Sequence, residues 1–170
     1  MDTPRIETRD ALPYLAIRRE ITDGVPAAVD EAFPKLMIGL RERGVELTQP
    51  PFIRILEVDD AGEPLLLECG APDAAGTEGE GEVYATELPA GRYATVTHVG
   101  AYRGEDKRVL ADARADLLGW MDAEGLKHSR PREGGGHIVA CAYDQLHVGP
   151  PLEPDFTKWR TELAYLVFDA

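Results

Sequence analysis

Val25-Pro-Ala-Ala-Val-Asp-Glu-Ala-Phe-Pro-Lys-Leu-Met-Ile-Gly-Leu-Arg-Glu-Arg-Gly44 is the stretch on which the reading of the fold turns. Its apolar positions Val29, Ala32, Phe33, Leu36, Met37 and Leu40 recur at steps of three and four, the period of one helix face. Gly44 stands where a left-handed residue would end that helix. Pro34 has no amide hydrogen and crowds the carbonyl four residues back, which predicts a kink or a late helix start. Upstream, residues 12–21 read as a strand, and Asp23-Gly24 breaks the chain before the helix. Downstream, residues 52–58 and 65–69 are β-rich runs on either side of Asp59-Asp60-Ala61-Gly62, which is turn chemistry and predicts a hairpin. The first half therefore reads β-α-β-β.

Working outward, residues 71–81 are rich in Pro, Ala, Gly and acids and read as a loop. Residues 83–88 and 91–99 are β-rich. A helix is predicted over residues 104–124, with Leu110, Ala113, Leu117, Trp120 and Met121 on one side and Gly125 as its stop. A Pro/Gly-rich loop follows over 127–136, then strands over 138–146 and 161–168. Gly44 and Gly125 lie 81 residues apart. The same offset sets Val29 on Leu110, Ala32 on Ala113, Leu36 on Leu117, Met37 on Leu118, Leu40 on Met121 and Leu15 on Val96; Ile17 on His98 is the polar exception. Matching order and matching faces predict a duplicated α+β fold. It is read as a single domain over residues 1–170, with halves at about 1–75 and 82–170. Two main helices cover antiparallel sheets, a pseudo-twofold relates the halves, and the strand faces opposite the helices are left to form a central ligand groove.

Composition narrows the function. The 170 residues carry 18 Lys and Arg against 31 Asp and Glu, a formal charge of -13. Such a chain lacks the basic surface that direct nucleic-acid binding or adhesion to anionic membranes needs. No run of about 18 apolar residues exists to span a bilayer. The N-terminal residues lack the basic-then-apolar pattern of a signal peptide, which predicts a cytoplasmic location. Cys69 and Cys141, the two cysteines, read as buried thiols. His98, His128, His137 and His147 show no metal spacing, so neither a metal nor a cofactor is expected. One serine, Ser129, leaves serine-nucleophile chemistry without a candidate, and no phosphate-binding glycine loop occurs.

The candidates for chemistry are acids and aromatics. Along Thr161-Glu162-Leu163-Ala164-Tyr165-Leu166, alternation sets Glu162 on one face with Ala164, Leu166 and Phe168, and Tyr165 on the helix side. An acid on an apolar face needs a partner or a cleft. Glu68 falls at the equivalent place in the first half, and paired acids near a symmetry axis could hold an organic cation. The alternative is an ion pair of Glu162 with a nearby Arg160 or Arg92. Tyr14, Tyr93, Tyr102, Tyr143 and Trp159 offer flat faces with a hydrogen-bonding handle, which suits an aromatic cation. Tyr102, in the loop before the second helix, falls near the expected groove mouth.

Leu88-Pro-Ala-Gly-Arg-Tyr-Ala-Thr-Val-Thr-His-Val-Gly-Ala-Tyr102 and Pro154-Asp-Phe-Thr-Lys-Trp-Arg-Thr-Glu-Leu163 resemble, in this order, the signature and closing motifs of the GyrI-like family, which is related to effector-binding domains of bacterial transcription activators. Ala101 stands where that family often has proline. The resemblance implies a groove that binds hydrophobic, often cationic, drug-like molecules, with Glu162 contacting the ligand and Tyr102 and Trp159 at the groove or its rim. Ligand-binding candidates are thus Glu162, Tyr102, Trp159, Tyr143, Tyr93, Tyr14 and Glu68. The leading expectation is a stand-alone small-molecule-binding domain for sensing or sequestration, without a DNA reader of its own. A second is a hydrolase that opens cyclopropane-bearing electrophiles, with Glu162 and Tyr102 catalytic, or Tyr143 in the place of Tyr102. A third is a protein-interaction module, such as a gyrase inhibitor, with a protein partner.

Overall fold

The computed structural model describes residues 2–73, 75–104, 109–149 and 152–169. Strands β1 (Arg5–Arg9) and β2 (Leu12–Glu20) lead into helix α1 (Val25–Glu42), followed by β3 (Phe52–Val58) and β4 (Pro64–Pro72). Then come β5 (Tyr84–Leu88), β6 (Gly91–Val99), helix α2 (Leu110–Ala123), the short β7 (Leu126–Lys127) and β8 (Ser129–Pro131), and the long β9 (His137–Val148). A 3-10 turn at Phe156–Lys158 precedes β10 (Arg160–Leu166) and β11 (Phe168–Asp169). Within each half the order strand, helix, strand, strand recurs, in β2-α1-β3-β4 and in β6-α2-β9-β10.

The main sheet is antiparallel and strongly curled, with the order β1-β6-β10-β9-β3-β4-β2-β5. That order reads alike from either end: β2 flanks β4 in one half as β6 flanks β10 in the other. The halves meet where β3 pairs with β9, from Phe52 opposite Gln145 to Val58 opposite His137.

Both helices lie on one face. Ala32, Leu36 and Leu40 bury the apolar stripe of α1 against Leu15, Ile17, Leu67 and Cys69. Ala113, Leu117 and Met121 do the same for α2 against Ala94, Val96, Leu163 and Tyr165. Ile55, at the seam, packs against both clusters. Each leucine so buried contributes about 1.5–3 kcal/mol by leaving water. Both helices stop where the period predicted: Gly44 and Gly125 take φ of 66° and 71°, a conformation that costs glycine nothing.

Pro34 neither delays α1 nor ends it, since the helix starts at Val25 and runs to Glu42. Pro34 and Asp30 are both exposed, so water can take the Asp30 carbonyl that Pro34 leaves without a donor. The expected helix over 104–124 is observed from Leu110, where the Asp112 side chain accepts from the Val109 amide at 2.8 Å; its first turn falls partly on residues 105–108, outside the described residues. Residues 127–136, read as loop, contribute β8, which pairs with β9. The hairpin between β3 and β4 turns where expected, with Asp59 Oδ1 accepting from the amides of Ala61 and Glu63 at 2.9 Å. Phe168, grouped by alternation with Glu162, leaves the main sheet and pairs with Lys127. Cys69 and Cys141 are free and buried, and burial pushes the Cys69 thiol up to about 12.

Candidate functional site

Residues opposite one another in an antiparallel ladder point to the same face. The register therefore strings Arg18, Glu68, Arg54, Tyr143, Ala164 and Thr95 across the helix-free face from β2 to β6. A neighbouring row carries Ala16, Gly70, Phe52, Gln145, Glu162 and Thr97. Tyr14 lies four residues before Arg18, the β2 partner of Glu68. Tyr93 lies four before Thr97, the β6 partner of Glu162. Phe52 and Tyr143 likewise lie two residues before Arg54 and Gln145, the β3 and β9 partners of those acids. Glu68 and Glu162 thus occupy matching places, each flanked by two aromatic rings.

The four rings run in a continuous band. Centroids are 4.8 Å apart from Tyr14 to Phe52, 5.3 Å from Phe52 to Tyr143 and 5.9 Å from Tyr143 to Tyr93. The band passes over Gly70, where a Cβ would meet the Phe52 ring at 2.5 Å. Glycine is what lets Phe52 lie flat on β4.

The two acids differ in surroundings. Glu68 is 1% exposed; it accepts from the Tyr14 hydroxyl at 2.6 Å, and Arg18 approaches at 3.5 Å. The Tyr14 oxygen in turn accepts from Arg54 Nη1 at 2.8 Å. Burial, and then the Glu68 charge, hold the Tyr14 phenol well above its ordinary value. Glu68 lines neither cleft on this face.

Glu162 opens onto a cleft of about 400 Å³ lined by Arg9, Asp10, Ala11, Leu12, Gln49, Leu88, Tyr93, Tyr143, Gln145 and Glu162. Arg9 sits in it. Its Nη2 is 2.8 Å from the Glu162 carboxylate, its Nη1 donates to the Tyr143 hydroxyl at 2.6 Å, and its guanidinium lies 5.8 Å from the centre of the Tyr93 ring. Burial works against this charge, but the hydrogen bond to Glu7 and the proximity of Tyr143 and Glu162 outweigh it and hold the guanidinium above its usual range. Burial also raises the Tyr143 phenol, with Arg9 opposing. A second cleft of about 310 Å³ lies beside Tyr14, Asp73, Thr77 and Glu87.

A family model for the GyrI-like small molecule binding domain matches residues 2–137. The chain belongs to the GyrI-like family. Solved structures share the fold over its full length, including β10, which lies beyond the matched residues. The EcmrR C-terminal domain superposes with a TM-score of 0.74 at 18% identity, covering 100% of this chain and 99% of that one. A hydrolase from Listeria innocua gives 0.58 at 15%, covering 97% and 91%. SAV2435 bound to tetraphenylphosphonium gives 0.57 at 8%, covering 98% and 94%. No curated protein matches the chain.

Of the residues singled out by sequence, this GyrI-like domain brings Glu162, Tyr93 and Tyr143 into one cleft, places Tyr14 at the other, and buries Glu68 beneath the face. It does not bring Tyr102 or Trp159 to the Glu162 cleft. Those two rings stack on each other at 4.8 Å, and Trp159 Nε1 donates to the Glu153 carbonyl at 2.6 Å. Tyr102 neighbours Thr161, which alternates with Leu163 and Tyr165 onto the helix side of β10. The ion pair to Glu162 comes from Arg9 rather than from Arg160 or Arg92, and Arg92 pairs with Asp169. Sequence reading passed over β1 and Arg9. The alternation Arg5, Glu7, Arg9 was the available signal, a short polar strand with one charged face. Among the described residues no three His, Cys, Asp or Glu side chains gather as a metal site, and no helix is long and apolar enough to cross a membrane.

Proposed function

We propose that the cleft at Glu162 binds a hydrophobic, cationic, drug-like molecule, and that the protein uses this binding for sensing or sequestration. The observation that carries the reading is chemical. The cleft combines a carboxylate, two tyrosine faces and the apolar Leu12 and Leu88, and a protein cation already occupies the position those groups define. An anion, a π face and apolar walls together select for a charged aromatic over a neutral or an anionic one. The cleft volume falls within the range of drug-sized sites. SAV2435, which shares the fold, is solved with tetraphenylphosphonium bound. Two unpaired thiols fit a reducing compartment, so the cytoplasm is the proposed place of action.

Titration with tetraphenylphosphonium chloride by calorimetry tests this. Glu162→Gln keeps the shape and removes the charge. It is expected to weaken binding by about 10–100-fold, the share of a charge-assisted contact. Equal affinity of wild type and Glu162→Gln would sink the reading.

One observation favours a second reading. Glu162 and the Tyr143 hydroxyl are bridged by a single guanidinium, so an acid and a phenol share the cleft. A hydrolase could use Glu162 to draw a proton from water and Tyr143, in place of Tyr102, to hydrogen-bond a substrate carbonyl. Gain of the mass of water by a cyclopropane-bearing electrophile over many turnovers, lost in Glu162→Gln, would establish it; an unchanged compound would remove it.

A further inference from the structure

The group that sits on Glu162 belongs to the chain itself, and to a strand at the edge of the main sheet. Among the described residues, β1 has no buried position and joins the sheet only through its ladder with β6, from Arg5 opposite Thr95 to Arg9 opposite Gly91. We propose that Arg9 is the specificity-determining residue of the cleft: an internal cation that an incoming ligand must displace from Glu162, so that bulky aromatic cations enter and compact ones do not. The inference rests on the cation-binding reading above and adds to it what the ligand must overcome.

Three features support displacement over simple co-occupancy. First, Arg9 already engages the three groups a cationic ligand would use: the Glu162 carboxylate, the Tyr143 hydroxyl and the Tyr93 face. A second cation beside it would face a neutralised acid and a like charge. Second, Arg9 carries its own counter-ion. Its Nε and Nη2 donate to Glu7 at 3.2 and 2.7 Å, and Arg5 pairs with Glu7 and Asp2 from the same arm. When the arm leaves, its charges stay paired with one another, and what is lost is the ladder to β6, the bond from the Thr97 amide to Asp2, and the contacts of Arg9 to Glu162, Tyr143 and Tyr93. Third, an edge strand without buried side chains is the kind of element that opens locally at low cost.

Exchange of one cation for another is close to neutral in charge, so the outcome is set by what else each brings. A compact ammonium has too little surface to cover Tyr93, Tyr143, Leu12 and Leu88. A tetra-aryl cation is weakly hydrated and covers all four. Arg9 therefore acts as a threshold that apolar area must exceed. It also argues against an anionic ligand, because the guanidinium is already engaged with Glu7, Tyr143 and Glu162.

The test uses tetraphenylphosphonium and tetramethylammonium chlorides on the full chain, with wild type, Arg9→Met and Arg9→Met/Glu162→Gln. Methionine keeps an apolar stem on the sheet and removes the charge. Arg9→Met is expected to bind tetraphenylphosphonium at least ten-fold more tightly than wild type and to gain measurable tetramethylammonium binding, and both gains should vanish in the double variant. Hydrogen exchange on wild type needs no variant: the amides of residues 5–9 should exchange faster at saturating tetraphenylphosphonium. Equal affinities of wild type and Arg9→Met, with unchanged exchange in the arm, would overturn the role of Arg9 while leaving the cation reading intact if Glu162→Gln still binds less. Absence of binding by Arg9→Met, whose cleft no longer holds the competitor, would overturn both.

Discussion

Glu68→Ala is expected to destabilise the protein by about 3–5 kcal/mol, the cost of removing one partner from a buried charged network. The carboxylate is 1% exposed, takes the Tyr14 hydroxyl at 2.6 Å and is approached by Arg18. Its loss strips the Tyr14 proton of an acceptor and leaves Arg54, which donates to that same phenol oxygen, in a half-buried place without the nearby anion. For a chain of this length the fall in Tm is on the order of 10 °C, readable by a thermal melt followed in the far-ultraviolet. Glu68→Gln keeps an acceptor for Tyr14 and should lose less than half as much. The same pair of variants separates two roles for this acid. As a structural group, Glu68 governs the melt; as a ligand group, it would govern affinity for tetraphenylphosphonium with the melt unchanged, and that second pattern would refute the assignment.

Leu117→Ala is expected to cost about 2–5 kcal/mol. Leu117 is fully buried at the centre of the cluster that holds α2 on β6, β9 and β10. Removing three carbon atoms there forfeits their burial and leaves a cavity, since the surrounding Val96, Leu163 and Tyr165 belong to strands fixed by their ladders. Leu36→Ala, at the matching place under α1, should cost a similar amount. Denaturant midpoints for the two variants check this. A loss below about 1 kcal/mol at either position would mean that its helix packs more loosely than the burial indicates.

The pattern of what was legible in the sequence follows from range. The steps Ala32, Leu36, Leu40 and Ala113, Leu117, Met121 are local, so both helices and their stops could be read directly. Alternation gave the faces of β10, with Glu162 away from Leu163 and Tyr165, because that too is set by neighbours in the chain. The five residues of β1 carry no apolar face; the alternation of Arg5, Glu7 and Arg9 is their one local signal, and the edge of β6 that they pair with lies far along the chain. The short β8 likewise pairs with β9. The partner of Glu162 was misplaced on the same ground: Arg160 is near along the chain and Arg92 lies on β6, the strand next to β10, whereas Arg9 reaches the acid from β1, on the far side of β6. Tyr102 and Trp159, which the motifs group with the groove, stack on each other outside the lining of the Glu162 cleft.

The seam between β3 and β9 has a consequence for how the chain comes apart. It joins segments far apart in sequence, so its closure costs loop entropy before any ladder bond repays it. Once closed, it gives each half's inner strand the second neighbour it would otherwise lack, and melting one half would expose the other's edge. Loss of order should therefore be cooperative across the seam. The chain carries its own reporter for this, because both tryptophans, Trp120 and Trp159, lie in the second half. In a urea titration their fluorescence follows only that half, while circular dichroism follows both; coincident midpoints are the signature of a seam that holds to the end, and split midpoints of one that parts first.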